Sequence, residues 1–308
     1  MTESGQIKEP GGRPEGREGI AWNDVSICLP AYNEARAIIG VLEKLRENFP
    51  GAEIIVVDDG SADGTGEKAR QVPGVRVLSH DRNSGYGASL KTAMRSATRK
   101  VVAWYDADGQ HRPEDLFAVV APVLKDEKDT VIGVRGADSH RQTARRPGKM
   151  LLKRVAELVA RAPVPDLNSG LRAFRRDVIL RYLHLLPDAF SASSTATLLM
   201  MKRRYRIGYC PIQVRERIGE STVKMFRDGG RTIQLLLRIL MLFDAFLFFS
   251  LMSGVQLLAG AAYSAWAIHR SGIGLPVLGA VVLISGILTF FMGLLCDQVA
   301  ALRLERLE

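Results

Sequence analysis

Cysteine is scarce in this 308-residue chain: Cys28, Cys210 and Cys296 stand far apart. They show neither the spacing of a zinc site nor the pairing of a disulfide framework, which suits a reducing compartment. Aromatic residues make up 7% of the chain, and no basic run is interleaved with them. That argues against a stacking platform for nucleic acid. No G-x-x-x-x-G-K-[ST] loop occurs anywhere, and after Gly85 and Gly87 the third glycine of G-x-G-x-x-G is replaced by Leu90. A P-loop and a dinucleotide fingerprint are both excluded. The stretch MTESGQIKEPGGRPEGREG at the N-terminus holds too little apolar surface to order itself. It also lacks the apolar core of an export signal, so the bulk of the chain is expected to stay unexported.

Charge is missing from two further stretches, Ala245 to Ile268 and Ile273 to Cys296. Each exceeds the ~20 residues that cross a bilayer core of roughly 30 Å. Only HRSG separates them, so they predict a membrane hairpin with both ends on one side. Lys224, Arg227, Arg231 and Arg238 flank it on one side, and Arg303 and Arg306 on the other. The positive-inside rule then predicts a two-span membrane protein whose preceding domain is cytoplasmic. Small residues in SGVQLLAGAAYSA and GAVVLISG suit close helix packing in lipid. A pair of buried helices in a soluble domain is the competing reading.

The charge that is present is uneven. Residues 1–130 hold 17 Lys+Arg against 21 Asp+Glu, residues 131–238 hold 22 against 8, and residues 239–308 hold 3 against 4, for a net +9. So cationic a middle segment expects an anionic partner, either phosphate groups or the headgroups of a bilayer.

From about Asn23 to Val134, VSICL, EIIVVD, VRVLS, KVVAWYDAD and DTVIGVR read as strands. They alternate with the helical stretches ARAIIGVLEKLRENF, DGTGEKARQV, GYGASLKTAMRSAT and PEDLFAVVAPVLKD. Near-continuous apolar strands alternating with helices predict an α/β fold: a mostly parallel, Rossmann-like sheet with helices on both faces. Beyond Gly136 helices and loops predominate, with one strand at IGYCPIQV, and RTIQLLLRILMLFD reads as a juxtamembrane amphipathic helix. The expected division is a disordered tail over 1–20, an α/β domain over 21–220, the juxtamembrane helix over 221–244 and the hairpin with a short tail over 245–308.

Ligands of such sheets bind beyond the carboxyl ends of the strands, and the polar motifs fall there. DADGQH follows the fourth strand. If the strand runs through it, Asp106 and Asp108 project to the same side and Ala107 turns away. Two carboxylates so placed repel unless a cation sits near them. With Gln110 they form an all-oxygen set suited to Mg2+ or Mn2+. A solvated turn is the bland alternative; an EF-hand is excluded, since the glycine comes too early and no Glu closes the loop. VVDDGSADGT ends the second strand with Asp58 and Asp59, and Ser61, Asp63 and Thr65 can cap the next helix. In LPAYNEA, Asn33 or Glu34 can accept hydrogen bonds and Tyr32 offers a stacking face. In DRNSGYGASLKTA, Gly85 and Gly87 predict a close backbone approach to a phosphate at a helix N-terminus.

Taken in this order, PAYNE, DDGSADGT, DADGQH, NSGLRAFRR and RIGES, followed by the hairpin, resemble the signatures of the family 2 glycosyltransferases of the GT-A fold. Within them the resemblance is to the polyprenyl-phosphate hexosyltransferases of the dolichyl-phosphate mannose synthase type, and it covers roughly Val25 to Arg231. It implies inverting transfer of a hexose from a nucleotide-sugar, UDP-glucose or GDP-mannose in type, to a polyprenyl phosphate at the cytoplasmic membrane face. Pro30, Tyr32, Glu34, Asp59 and Asp106 would contact the nucleotide. Asp108 and Gln110, with Asp106 in reach, would hold the Mg2+ or Mn2+ on the diphosphate. Arg135 and Arg172 would lie near the transferred sugar or the acceptor phosphate, with Ser169 beside them. Arg145, Arg146 and Arg217 would add to the acceptor-phosphate site. The match departs from the family at Arg-x-x-Gly-x-Ser-Lys: this chain reads RERIGESTVK, with Arg217 one residue nearer Gly219 and Thr222 in place of the lysine. Lys224 and Arg215 are the candidates to substitute. His111 is read as a structural neighbour of the site.

Three rivals are weighed. A processive polysaccharide synthase would carry Gln-x-x-Arg-Trp, and Trp22, Trp104 and Trp266 stand in no such context. A glycosyltransferase acting on a glycolipid hydroxyl would depend on a single carboxylate base. A catalytically silent membrane adaptor would have no need of intact metal carboxylates. The sequence leaves the sugar, the base and a homo-oligomer open.

Overall fold

A computed structural model describes residues 22–136, 154, 156–158, 160, 162–215, 241, 244–272 and 274–305. The expected N-terminal tail, the juxtamembrane helix apart from Met241 and Asp244, and the RERIGES segment from residue 216 on lie outside the described residues.

Seven strands form one sheet: β1 (Val25–Ala31), β2 (Glu53–Asp58), β3 (Val75–Ser79), β4 (Val101–Trp104), β5 (Thr130–Arg135), β6 (Arg172–Arg175) and β7 (Ile207–Ile212). Their spatial order is β3-β2-β1-β4-β6-β5-β7. All neighbours are parallel except β6, which runs antiparallel to both β4 and β5. The helices connecting them are α1 (Ile38–Asn48), α2 (Thr65–Arg70), α3 (Tyr86–Ser96), α4 (Pro113–Leu124), α5 (Arg176–Arg181) and α6 (Ala192–Lys202).

Alternation along each strand divides the core in two. Ile27, Leu29, Ile54, Val56 and Ala103 pack with Leu42, Leu45, Leu116 and Val120 of α1 and α4. Cys28, Ile55, Val57, Val102 and Trp104 pack with Leu90, Met94, Ile179 and Leu199 of α3, α5 and α6. Burying both faces is what makes β4 apolar throughout and β1 apolar except for Ser26, which donates to Glu53. Burial also pushes the Cys28 thiol far above its ordinary range, so it is a small core hydrophobe.

Two expectations change. The strand read as KVVAWYDAD ends at Trp104, so Asp106 and Asp108 lie on the loop beyond β4. The two-sided pattern nevertheless persists past the strand: Tyr105 and Ala107 belong to the α1–α4 side. Strand β6 was not anticipated, because only four residues long, RAFR, it carries an arginine at each end. It brings Arg172 opposite Trp104 and the loop preceding it across the end of β4.

The C-terminal helices α7 (Ala245–Ser271) and α8 (Val277–Glu305) form the expected hairpin, turning through Gly272 in the left-handed region. Both are long and apolar enough to cross a membrane. Their shared seam sets glycines against large side chains of the other helix: Gly260 faces Leu283, Gly286 faces Leu257, and Gly293 faces Phe249. Ser253 donates to the carbonyl of Gly286 at 2.8 Å and Thr289 to Gln256 at 2.9 Å. Large apolar side chains such as Leu251, Val255, Leu258 and Leu288 point outward, the inverse of a soluble helix pair.

Candidate active site

The site forms where the loops after β1, β2, β3 and β4 meet. The β1 and β2 loops are laced together. The N–H of Asn33 donates to Ser61 Oγ (3.0 Å), that of Glu34 to Thr65 Oγ1 (2.9 Å) and that of Ala35 to Asp63 Oδ2 (3.0 Å). Asn33 adopts a left-handed φ of 56° and returns a bond, accepting from the N–H of Ala62. Ser61, Asp63 and Thr65, expected to cap α2, instead hold the PAYNE turn; of the three only Asp63 also accepts from the first N–H of α2, that of Thr65 at 3.1 Å. Pro30 is buried at the end of β1, Tyr32 is half-buried above it, and Glu34 is buried.

Asp59, expected to contact a nucleotide, is 3% exposed and bound on both oxygens by the β3–α3 loop. Oδ1 lies 2.7 Å from His80 Nδ1 and accepts from the N–H of Ser84 (2.9 Å), while Oδ2 accepts from that of Gly85 (2.8 Å). His80 in turn meets Thr92 on α3. Asp59 thus fixes the loop that delivers Tyr86.

The phosphate site expected at the start of α3 is not formed. The N–H groups of Gly87 and Ala88 donate to the carbonyl of Asp188, at 2.8 and 3.1 Å. A side chain at Gly87 would collide with the carbonyl of Pro187. The two glycines admit the 187–189 turn, and Lys91 forms an ion pair with Asp188 beside it. The same turn stacks Phe190 on Tyr86 at 5.2 Å, leaving Phe190 64% exposed.

Asp106 is the hub. Tyr86 Oη donates to its Oδ1 at 3.0 Å, and His111 Nε2 lies 3.3 Å from Oδ2. Gly170 abuts the carboxylate so closely that any side chain there would displace it. Burial alone would raise this carboxyl, but the bonds from His111 and Tyr86 and the charge of Arg135 hold it below the usual carboxylate range. Asp108 is buried and accepts from the N–H of Gln110 at 3.0 Å, across the left-handed Gly109. Gln110 Nε2 donates to the carbonyl of Arg215, and the Arg215 N–H donates back to the Gln110 carbonyl. That pairing engages Nε2 and leaves Oε1 as the oxygen of the side chain that could serve a ligand.

Among the described residues no three His, Cys, Asp or Glu side chains cluster as a ready-made metal site. The available donors are two carboxylates and an amide oxygen on one short turn. Such a set fits a hard divalent ion that keeps positions for other oxygens, as Mg2+ does.

Arg135, the last residue of β5, makes a bidentate ion pair with Asp166, Nε to Oδ2 at 2.7 Å and Nη2 to Oδ1 at 2.8 Å. The pairing pushes the guanidinium up and, against burial, holds Asp166 low. Asp166 opens the loop that ends in Ser169 and Gly170, so it ties Arg135 to the wall of the Asp106 site. Neither Asp166 nor Tyr86 was singled out from sequence. The signal for Asp166 was its place three residues before Ser169 in DLNSG; for Tyr86 it was an aromatic between two glycines that a pure phosphate loop would not need.

Arg172 departs from its expected place beside sugar or phosphate. It is completely buried. Nε donates to the carbonyl of Ser169 (2.7 Å), Nη1 to those of Ser193 (2.8 Å) and to Thr197 Oγ1 (2.7 Å), and Nη2 to the carbonyl of Leu167 (3.1 Å). The guanidinium lies 5.7 Å from the Trp104 ring centroid. Burial pushes its pKa down to about 10. Its register opposite Trp104 sends it into the core, where it shapes the 166–170 loop from behind. Ser169 is also fully buried, and its Oγ has no hydrogen-bond partner among the described residues. Arg145, Arg146 and Arg217 lie outside the described residues.

Residues 26–183 match the family "Glycosyl transferase family 2", and residues 247–302 match "GtrB C-terminal hairpin". The chain is 31% identical to a dolichyl-phosphate hexose transferase of Haloferax volcanii, over 68% of this chain and 90% of that one. It is 29% identical to a UDP-N-acetylglucosamine–dolichyl-phosphate N-acetylglucosaminyltransferase of Methanococcus voltae, over 61% of this chain and 84% of that one. In fold it is similar to glucosyl-3-phosphoglycerate synthase from Mycobacterium tuberculosis, crystallised with Mn2+, UDP and glucosyl-3-phosphoglycerate. The TM-score is 0.57 and the identity 20%, over 74% of this chain and 85% of that one.

Proposed function

The chain belongs to glycosyl transferase family 2, and from that premise we propose that it transfers a hexose from a nucleoside-diphosphate sugar to a polyprenyl phosphate, with inversion, at the cytoplasmic face of a membrane. One observation carries this reading: the carboxylate turn and the Arg135–Asp166 pair converge on one site in a chain that ends in an apolar hairpin. The relatives named above act on dolichyl phosphate. The basic flanks of the hairpin support the cytoplasmic side. The division into a catalytic domain over 21–220, a juxtamembrane helix over 221–244 and the hairpin over 245–308 belongs to the same reading.

In this reading Pro30, Tyr32 and Glu34 line the nucleotide, and Asp59 keeps the loop beside it in place. Asp106, Asp108 and Gln110 would hold Mg2+ or Mn2+. When bound, such an ion acts as a Lewis acid on the departing diphosphate. Tyr86 and His111 keep Asp106 ionised and fixed in orientation, so the turn needs no reorganisation as charge develops. A phosphate monoester, with a second pKa of about 6, arrives as an anion and needs no general base. It needs cations to position it. Asp166 takes Nε and one edge of the Arg135 guanidinium, and among the described residues Nη1 has no partner, so in this reading it donates to the lipid phosphate. Arg145, Arg146 and Arg217 would add to that grip. Arg172 and Ser169 set the loop between the two halves of the site.

The test is transfer from a panel of radiolabelled UDP- and GDP-sugars to a polyprenyl phosphate by membranes carrying the protein. A labelled lipid formed with one donor, and lost in Asp108→Asn, supports the proposal. No transfer from any of them, with the protein folded and present in the membrane, overturns it.

A further inference from the structure

The last residue of α6 and the residue that precedes α7 meet. Lys202 Nζ lies 3.2 Å from Asp244 Oδ2, and both side chains are half-buried. Asp244 is the N-cap of α7, yet its side chain makes no capping bond to that helix. Among the described residues its carboxylate is engaged by Lys202. Ala245, the first residue of α7, is buried, whereas Leu251, Val255 and Leu258 further along point outward. The head of the first span is therefore packed against protein, and the rest of its outer face is left to lipid. Both charges suit their places. Lys202 stands in the last turn of α6, where a helix favours a cation, and Asp244 at the start of α7, where a helix favours an anion. A lone carboxylate at the end of a span would face the headgroups of the bilayer, and anionic ones repel it. Lys202 cancels that charge. A pair withdrawn this far from water is also screened less by salt than a surface pair.

Helix α6 reaches from this pair to the wall of the site. Ala192 to Met200 are buried along it, and its 11 residues span about 16 Å. At its other end Arg172 donates to the Ser193 carbonyl and to Thr197 Oγ1, and Ser194 Oγ donates to Asn168 Oδ1 at 2.7 Å. Asn168 belongs to the loop that sets Gly170 against Asp106 and Asp166 on Arg135. One buried helix thus joins that loop to the head of α7.

We propose that Lys202 and Asp244 are positioning residues: their ion pair seats the α/β domain on the hairpin, so that a phosphate carried at the bilayer surface meets the Asp106–Arg135 site at one height. The purpose of the seat rests on the sugar-transfer reading, whereas the seat itself does not. An acceptor anchored in lipid cannot follow a site that rocks away from the surface. A fixed seat keeps its effective concentration high and its approach aligned. A short prenyl phosphate free in solution has no such restriction, so it does not depend on the pair.

The seat is tested as a distance in the full chain in nanodiscs. Spin labels are placed at Arg95→Cys on α3 and Val299→Cys on α8, both exposed positions, with Cys210 and Cys296 changed to serine. The parent is expected to give one narrow distance distribution. Lys202→Met and Asp244→Asn should each broaden it, the double variant should broaden it no further, and Lys202→Arg should keep it narrow. The purpose is tested as transfer from one nucleotide-sugar to a long polyprenyl phosphate in the nanodisc and to a short, water-soluble prenyl phosphate. Each single variant is expected to lose about 10-fold toward the long acceptor, the double no more, and none of them toward the short one. An unchanged distribution in the single variants, additive losses in the double, or equal losses with both acceptors overturns the proposal; the last is the mark of a merely structural role. If the parent transfers to neither acceptor, the sugar-transfer reading falls, and the distance measurement still decides the seat.

Discussion

Arg172 and Arg135 are both basic residues close to Asp106, yet their surroundings give them opposite work. Arg172 is fully buried and spends its guanidinium on three backbone carbonyls and a threonine. Removing it strands several buried acceptors at about 1–3 kcal/mol each. Arg172→Met is therefore expected to lose at least ~3 kcal/mol of stability, measured by denaturant unfolding in detergent. Arg135 is half-exposed and, among the described residues, held by Asp166. Arg135→Ala is expected to lower the midpoint, because Asp166 loses its counter-charge, and to lower transfer about 100-fold through lost positioning of the acceptor phosphate; Arg135→Ala/Asp166→Ala should restore the midpoint but not the transfer. Asp108→Asn is expected to cost about 10²–10³-fold in turnover, since it weakens the site where leaving-group charge develops. The sequence made the carboxylates legible, because two acids at a strand end are hard to explain by packing. It could not separate the two arginines. Arg135 closes the apolar run VIGV while Arg172 follows NSGL, and the register of β6 against Trp104 is what turns Arg172 inward.

At the scale of the elements, the parallel half of the sheet was readable because buried strands carry their own signature of β-branched runs between helices. Strand β6 was not, since RAFR is short and its neighbours β4 and β5 supply most of its burial. The glycines before α3 were legible as a close approach, but the partner was another turn of the same chain. One ion-pair cluster fastens the far end of the sheet. Asp129 accepts from Arg206 through its backbone N–H at 2.8 Å and its guanidinium at 3.0 Å, with Arg175 within 3.5 Å. The Arg206 bonds, joined by the charge of Arg175, hold the Asp129 carboxyl below the ordinary range. A carboxyl depressed in the folded state stabilises fully above its unfolded pKa, near 3.9, and loses that contribution as pH falls through the folded value. Thermal midpoints are therefore expected to drop as pH falls below about 4, and Asp129→Asn should lower the neutral midpoint and flatten that acid limb.

For the molecule as a whole, the hairpin inverts the burial logic of the α/β domain: glycines and hydroxyls line its seam and leucines face out. Leu258 is 74% exposed near the middle of α7. Leu258→Lys is expected to cost about 3 kcal/mol of insertion free energy, measured as a fall in the membrane-integrated fraction on flotation. An unchanged fraction would mean that α7 does not span. Composition alone revealed this part of the architecture, because a charge-free run longer than a bilayer core has few other uses. The account as a whole turns on the identity of the nucleophile. The most direct measurement offers the membrane-embedded protein a polyprenyl phosphate and the matching polyprenol, with the same nucleotide-sugar donor, and determines the anomeric configuration of the product. The account predicts transfer to the phosphate alone, with inversion, whereas equal transfer to the alcohol or retention at the anomeric carbon would contradict it.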